Sequence, residues 1–330
     1  MQKKLIALAV AAALTAPAAA MAADVTVYGK VFMTLDQMSS NAVNSVSKTQ
    51  VNTNASRLGF KASEDVGDGL KAIVQYELEM DASGATGAGL GKTRNSGAGF
   101  DGDFGKVIVG MWDSPYKVVH NKIELFDNTT NYSAHNIIGH SNGQNFQTRQ
   151  TQMIQYWSPK ISGFQVAAMY SPDPAPTATQ KKNIISLSGT YEQDALYVSA
   201  GYETRADVAV AGKTNSAARL AAKYNFGDFW LGGMVEKMHV VTALATTNGN
   251  NAELVGQFDF GANSIALSLA KAGSTAVAGV ASNAVNQTSL KLTHNFSKST
   301  QLFGAFASKK ADAVTAITTT YFGLGLLKTF

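Results

Sequence analysis

Apolar and polar residues alternate with a period of two along most of this chain. The first clear case is the segment Val25–Asp36, which reads VTVYGKVFMTLD. Positions of one parity are Val25, Val27, Gly29, Val31, Met33 and Leu35. Positions of the other parity are mostly polar, with Phe32 as the exception. A two-residue period over a dozen positions is long for a globular strand but fits a tilted membrane strand.

The same alternation recurs in pairs of segments that are joined by short turns. In the first pair, Leu58 and Phe60 are predicted to face outward, whereas Arg57 and Lys61 face inward. Gly67 lies in the turn, as expected for a hairpin. The chain as a whole gives one first strand, seven hairpins and one last strand. The predicted strands are Val25–Asp36, Ser56–Glu64, Leu70–Met80, Thr93–Gly102, Lys106–Trp112, Arg149–Trp157, Phe164–Ser171, Asn183–Glu192, Leu196–Arg205, Ser216–Phe226, Phe229–Met238, Glu253–Gly261, Ser264–Lys271, Asn286–Phe296, Gln301–Lys309 and Thr318–Phe330.

This pattern predicts an all-β protein, a 16-stranded antiparallel transmembrane β-barrel. An even strand number, with short turns at one end and long polar loops such as Gln37–Asn54 at the other, is typical of bacterial outer-membrane barrels. Barrels of this size leave a water-filled channel, whereas about eight strands close around their own side chains. The weakest strand is Thr93–Gly102, in which Asn95 is predicted to face outward. A neighbouring subunit could cover such a wall of small residues.

One predicted connection is far longer than the others. Asp113–Thr148 contains 36 residues without clear periodicity. Connections in compact domains usually contain about 4–6 residues, and much longer ones are often functional. We interpret residues 113–148 as the third external loop, which folds into the barrel and narrows its opening.

The first 22 residues have the features of a secretory signal peptide. Lys3 and Lys4 precede the ten-residue apolar segment Leu5–Leu14, and Ala20, Met21 and Ala22 form a small-x-small cleavage site. Ten apolar residues are too few for a spanning helix, which needs about 20. The mature chain is therefore predicted to begin at Ala23 and to form a single domain, residues 23–330.

Composition narrows the functional classes. Without the leader, 25 basic residues stand against 23 acidic ones, so no surface for nucleic acid is indicated. The chain contains no cysteine, which excludes disulfides and thiol chemistry. No cofactor is predicted.

Several short segments resemble the general porins of Gram-negative bacteria, in particular the family typical of β-proteobacteria and neisseriae. The matching residues are Val25-Thr26-Val27-Tyr28-Gly29, Ser56-Arg57-Leu58-Gly59-Phe60-Lys61, Glu64-Asp65, Gly69-Leu70-Lys71-Ala72, Gly102-Asp103-Phe104-Gly105, Tyr156-Trp157-Ser158-Pro159, Gly163-Phe164 and the terminal Phe330. Phe32 departs from the family, which commonly has an acidic residue there, and Gly110–Pro115 follows the family pattern only loosely.

The resemblance implies a trimeric barrel with the third external loop inside and a cluster of arginines on the wall that faces this loop. The matching positions here are Arg57, Arg94 and Arg149. Alternation also places Lys61 inward. The loop contributes Asp113, Lys117, Lys122, Glu124 and Asp127, which are read from this sequence alone. Wall cations opposite an acidic loop would create a transverse field in the pore.

The predicted wall cations outnumber the net negative charge of this loop. The summed charge at the constriction is therefore predicted to be about +2 to +3, which gives a modest preference for small anions. The resemblance then implies a general porin for passive diffusion of small hydrophilic solutes and ions. It would be a homotrimer in contact with outer-membrane lipid and lipopolysaccharide, located in the outer membrane. A substrate-specific channel for sugars or organic acids is the alternative, although few aromatics are predicted to face inward.

An outer-membrane enzyme is the remote alternative. The chain contains five histidines, His120, His135, His140, His239 and His294. No spaced motif places a base beside a nucleophile, as a catalytic site requires. The histidines also lack a spacing that indicates metal ligands. We therefore predict neither catalytic residues nor a metal site.

Overall fold

The computed structural model describes residues 24–330 except 86, 88, 142, 244–245, 274, 278–279, 283 and 313–315. The predicted signal peptide lies outside the described residues. Sixteen antiparallel strands form the main sheet, two of them in two segments each. They are β1 (Asp24–Ser40), β2 (Lys48–Thr53 and Arg57–Gly67), β3 (Leu70–Met80), β4 (Leu90–Thr93 and Ser96–Gly102), β5 (Gly105–Asp113), β6 (Arg149–Trp157), β7 (Phe164–Ser171), β8 (Asn183–Gln193), β9 (Leu196–Ala206), β10 (Thr214–Asn225), β11 (Phe229–Val241), β12 (Thr246–Phe260), β13 (Asn263–Ala272), β14 (Val285–Ser297), β15 (Thr300–Ala311) and β16 (Ile317–Thr329).

The sheet is closed, because its first and last strands pair with each other. β1 pairs with β16 from Lys30 opposite Thr329 to Ser40 opposite Thr319, and it pairs with β2 along its other edge. Every backbone group along the closed sheet can then find a partner within the barrel, which a membrane interior requires. The predicted 16-stranded antiparallel barrel is therefore confirmed.

The side chains alternate in the sense that a membrane barrel requires. On β10 to β12, Leu220, Val235 and Leu254 are about half exposed, whereas the neighbouring Glu236 and Glu253 are at most 6% exposed. Apolar residues thus occupy the exposed face and many charged residues the covered face, the reverse of a soluble protein. Within the described residues, no helix is long and apolar enough to cross a membrane.

Two strands are interrupted, and the sequence did not indicate either break. β2 breaks at Asn54–Ser56, where Ala55 has a φ of 47°. The predicted loop Gln37–Asn54 is therefore wrong in part, because β1 extends to Ser40 and residues 48–53 form strand. β4 breaks at Arg94 and Asn95. This break also corrects the predicted outward direction of Asn95, whose side-chain oxygen accepts a hydrogen bond from the guanidinium of Arg149 at 2.9 Å.

The strand ends form short turns in which left-handed residues close the hairpins. Asp68 and Gly69 have φ values of 53° and 73° between β2 and β3. The chain ends at this same end of the barrel, where the Gly29 amide donates to the Phe330 carbonyl at 2.9 Å. A Cβ on Gly29 would lie 2.6 Å from the Phe330 ring, so only glycine allows this close approach.

The connection between β5 and β6 is the one predicted as a long loop, residues 113–148. Its predicted first residue, Asp113, is instead the last residue of β5 and pairs with Arg149 of β6, so it belongs to the wall. It contains a four-residue helix, α1 (Pro115–Val118), whose N-terminal amide at Lys117 is capped by the Ser114 hydroxyl. A 3₁₀ turn follows at Ala134–Asn136, capped by Ser133, and His140–Ser141 pairs with Gln144–Asn145. Tyr116, Ile123, Ile138 and Phe146 of this loop are fully buried. The loop is therefore a packed substructure.

Candidate functional site

A polar cavity of about 430 Å³ lies between the interrupted strands and the long loop. All of its described lining residues are charged or carry a side-chain amide. The barrel wall contributes Arg57, Glu77, Arg94, Asn95, Asp113 and Arg149, and the loop contributes Asn121, Glu124, Asp127 and Asn128. Six of the residues predicted for the constriction thus meet in one place: Arg57, Arg94, Arg149, Asp113, Glu124 and Asp127.

Glu77 on β3 holds two of the wall arginines. Its carboxylate lies 2.6 Å from Nε of Arg94 and 3.6 Å from Nε of Arg57. The Arg94 side chain is only 8% exposed, whereas 31% of the Arg57 side chain remains exposed. Arg57 is therefore the cation of this pair that is more available to a solute.

The third wall arginine lies at the start of β6. Nε of Arg149 is 3.5 Å from the Asp113 carboxylate and donates to the Asn95 amide oxygen. Lys117 also pairs with Asp113, and burial lowers the pKa of the Lys117 ammonium despite the attraction of Asp113. The break in β4 thus positions Asn95 to orient Arg149.

On the loop side of the cavity, the two carboxylates have different partners. Asp127 pairs with Lys30 of β1. Glu124 accepts hydrogen bonds from the Phe126 amide at 2.8 Å and from the Ser133 hydroxyl. Its side chain is 9% exposed, and burial raises the pKa of its carboxyl. Glu124 and Asp127 therefore form the acidic side of the cavity, and of the two only Asp127 is paired with a lysine of the wall.

The charge balance differs from the sequence-based sum. The described lining contains three arginines and four carboxylates, and Lys30 and Lys117 pair with two of these acids from beside the cavity. The total is then about +1 rather than the predicted +2 to +3. Glu77 and Lys30, which the predicted sum left out, offset each other. The difference therefore comes from Lys61 and Lys122, which do not lie beside the cavity.

These two lysines, Lys61 and Lys122, lie elsewhere. Lys61 lines a separate cavity with Thr26, Gln75 and Trp112, and its ammonium lies 5.8 Å from the centroid of the Tyr28 ring. Lys122 pairs with Glu192 of β8 at 2.6 Å on an exposed surface. The structure does not bring either lysine to the cavity beside the wall arginines.

The loop is anchored to the polar face of the sheet far from this cavity. The Tyr116 hydroxyl donates to Glu236 of β11, which also accepts from Nη2 of Arg219 at 2.6 Å and from the Gly139 amide at 2.7 Å. Arg219 and Glu236 are fully buried as a pair. Such a pair is costly to break, since either partner alone would be an uncompensated buried charge.

Further anchors are distributed around the barrel. The Arg205 guanidinium on β9 donates to the Asn145 carbonyl at 2.7 Å and lies 4.2 Å from the centroid of the Phe146 ring. On β1, Asp36 accepts from the Tyr132 hydroxyl at 2.6 Å. One loop thus contacts strands on opposite parts of the sheet, always on the polar face.

A second cluster of polar groups lies within the loop. His120 is fully buried; its Nε2 contacts the Glu253 carboxylate of β12, and its Nδ1 lies 3.7 Å from Glu124. Burial lowers the pKa of His120, but Glu253 and Glu124 outweigh it, so the pKa is raised. His135 lies beside His120, with 6.2 Å between the ring centroids. Burial, aided by His120, lowers the pKa of His135 well below its ordinary value.

Sequence reasoning missed this cluster and Glu236, Arg219, Arg205 and Lys30. His120 and Glu124 are four residues apart on one turn of chain, a spacing that could have been noticed. The partners of Tyr116 and His120 are 120 and 133 residues away in sequence, and no local pattern connects them.

Comparisons with known proteins identify the family of this chain. A profile of the Gram-negative porin family matches residues 7–313. The major outer membrane protein P.IB of Neisseria meningitidis serogroup B is 36% identical over 52% of this chain and 50% of its own length. The match thus spans about half of that relative. Outer membrane porin protein 32 of Delftia acidovorans is 28% identical over 96% of this chain and 92% of its own length.

A solved structure shares the fold. It is that of an anion-selective porin from Comamonas acidovorans, and it superposes with a TM-score of 0.81 at 23% identity over 93% of this chain and all of that chain.

Proposed function

Because this chain belongs to the Gram-negative porin family and is a protein of the outer membrane, we propose that it forms a general diffusion channel whose narrowest part lies beside the long loop. The observation that carries the proposal is the cavity in which Arg57, Arg94 and Arg149 face Glu124 and Asp127. Opposed rings of charge commonly set selectivity in pores.

The position of the loop follows from its partners. Residues 113–148 contact the polar face of β1, β9, β11 and β12 through Asp36, Arg205, Glu236 and Glu253. A single segment of 36 residues can reach strands on opposite parts of a closed sheet only from within the barrel. We therefore place the loop in the lumen, where it leaves the polar cavity beside the arginine wall as the path for solutes.

The proposed solutes are small hydrophilic molecules and ions, with a weak preference for anions. Arg57 is the least covered of the three wall arginines, and the total of about +1 favours anions only slightly. The charged and amide lining is suited to ions more than to a sugar, which aromatic faces usually bind. The Comamonas protein that shares the fold is an anion-selective porin, and this supports the same preference.

We also propose that residues 1–22 form a cleaved leader and that three copies of residues 23–330 assemble in the outer membrane against lipid and lipopolysaccharide. Exposed Val25, Val27, Phe60, Val74 and Tyr76 give the first strands an apolar outer surface. We place the contact between subunits there. Light scattering in mild detergent, with the detergent mass subtracted, tests the assembly.

The function is tested by single-channel recording in planar bilayers. The purified protein should give ohmic steps in KCl, and a tenfold salt gradient should give a small reversal potential of the sign that indicates anion preference. An absence of conductance would reject the channel. A clear cation preference would reject the assignment of Arg57, Arg94 and Arg149 as the dominant charges while leaving the channel in place.

A further inference from the structure

Three side chains in the long loop place potential metal-ligand atoms close to one another. One ring nitrogen of His120, one of His135 and a carboxylate oxygen of Glu124 all lie within 4.8 Å of one another. His120 is 0% and His135 8% exposed. Nδ1 of each histidine is buried without a hydrogen-bond partner. Two buried acceptor-capable nitrogens without partners are costly unless something binds them.

We propose that His120, Glu124 and His135 form a site for a divalent transition-metal ion, with Zn²⁺ as the ion that the donors fit best. Two imidazoles and one carboxylate are a donor set that zinc accepts, and a fourth position is left for water. Ca²⁺ and Mg²⁺ prefer oxygen donors, so they fit this set poorly.

The surroundings of His120 support this assignment. Its Nε2 faces the Glu253 carboxylate, which fixes the tautomer that leaves Nδ1 free to bind a metal. A carboxylate behind a metal-binding histidine is the usual arrangement at zinc sites. Glu253 is itself held by the Ser268 hydroxyl at 2.6 Å.

The charge of the cluster also suits a divalent cation. Glu124 and Glu253 place two carboxylates around the His120 imidazole in a buried region. These carboxylates favour positive charge at this point, which a divalent ion would supply. An ion could reach the site through the polar cavity, since Glu124 lines that cavity as well as facing His120.

The three ligand atoms need to move only slightly closer together to bind one ion. Ligand atoms about 2.1 Å from a tetrahedral ion are separated by about 3.4 Å from one another, compared with the present limit of 4.8 Å. Nδ1 of His135 has no partner to give up, so a rotation of this ring can supply much of the movement. The bound ion would join the turn at 120–124 to the 3₁₀ turn at 134–136, and Glu253 would connect both to β12.

The test is a binding titration on the full-length mature protein without a polyhistidine tag, since a tag would bind the same ions. Protein in detergent is stripped with a chelator, and Zn²⁺ is titrated in competition with a chromophoric chelator. One equivalent per chain is expected. Co²⁺ should give the intense visible absorption of a four-coordinate ion.

The variants separate this site from adventitious binding. His135→Ala should weaken Zn²⁺ binding at least 100-fold, and Glu253→Gln should weaken it about 10- to 100-fold, as expected for a residue behind a ligand. His140→Ala is the matched control, because His140 lies in the same loop but is exposed. The affinity of this variant for Zn²⁺ should stay within twofold of that of the wild type.

Two results would overturn the proposal. The first is a wild-type protein that binds less than one equivalent at micromolar Zn²⁺. The second is an equal loss of affinity in His140→Ala and His135→Ala. Glu253→Gln keeps all three ligands, so it decides the question if His135→Ala does not fold. The titration needs no membrane, and its result is independent of whether the protein conducts.

Discussion

Arg94 and Glu77 form a buried ion pair, with Nε of Arg94 2.6 Å from the Glu77 carboxylate, at the point where β4 is interrupted. Only 8% of either side chain is exposed. Arg57 approaches the same carboxylate at 3.6 Å and remains 31% exposed. The three wall arginines are therefore not equivalent, although they look alike in the sequence.

We expect Arg57→Ala to reduce the proposed anion preference more than Arg94→Ala does. Loss of Arg57 removes an exposed charge from the cavity and widens it, so conductance should rise as selectivity falls. Loss of Arg94 also leaves Glu77 without its closest partner, and part of the effect is then structural. Reversal potentials in a KCl gradient measure the anion preference of both variants.

The control for these variants is Lys61→Ala, because Lys61 has the same charge but lines a different cavity. Its reversal potential should stay close to wild type. A shift in Lys61→Ala as large as that in Arg57→Ala would mean that selectivity is set outside the cavity beside the loop.

The anchor at Glu236 predicts a graded loss of loop stability. Glu236→Gln leaves Arg219 as an uncompensated buried charge and should destabilise the local structure by about 3–5 kcal/mol. Tyr116→Phe removes one hydroxyl donor to Glu236, whose other partners remain, and should cost about 1–3 kcal/mol. Hydrogen exchange of residues 113–148 measures the free energy of local opening.

Glu192→Gln is the matched control for this series. Glu192 also pairs with a loop residue, Lys122, but 55% of that lysine side chain is exposed. An exposed pair contributes about 0–1 kcal/mol. Equal protection of the loop in Glu236→Gln and Glu192→Gln would show that the Tyr116 anchor does not hold the loop in place.

The barrel could be predicted because its signal is local. Alternation along β11 follows from the direction of successive side chains, and this strand was predicted to within three residues at its far end. The interruption at Arg94 and Asn95 could not be predicted, because it depends on Glu77 and Arg149 in other strands. The loop contacts could not be predicted for the same reason, since Tyr116 and Glu236 are far apart in sequence and meet only after the sheet has closed.

A glycine on the wall shows how closely the loop approaches the sheet. A Cβ on Gly201 of β9 would lie 3.0 Å from Cα of Tyr116 and 2.8 Å from the Val119 side chain. Gly201→Ala should therefore displace α1 from the wall, weaken the Tyr116 anchor and change the single-channel conductance. Overpacking of this kind typically costs about 1–3 kcal/mol.

Gly189→Ala provides the comparison, because nothing lies within 4 Å of a Cβ at that position on the adjacent strand. Its conductance should match that of the wild type. Unchanged conductance in Gly201→Ala as well would indicate that the loop can shift without altering the path for ions.

Glu77→Gln tests the electrostatic account most directly, because it changes one charge and almost no volume. The glutamine oxygen can still accept from Arg94, and the Tyr28 hydroxyl, now 3.2 Å from the carboxylate, keeps a partner. Loss of the charge weakens the buried pair with Arg94, so the variant should also be less stable than the wild type. Removal of the negative charge raises the cavity total from about +1 to about +2, so the reversal potential should move further toward anion selectivity. The shift should be large at 0.1 M salt and small at 1 M, because the Debye length falls from about 10 Å to about 3 Å.

Glu79→Gln, two residues along the same strand but outside the lining, should shift the potential much less. A shift of equal size in both variants, or one that does not fade with salt, would contradict control by the charges of this cavity.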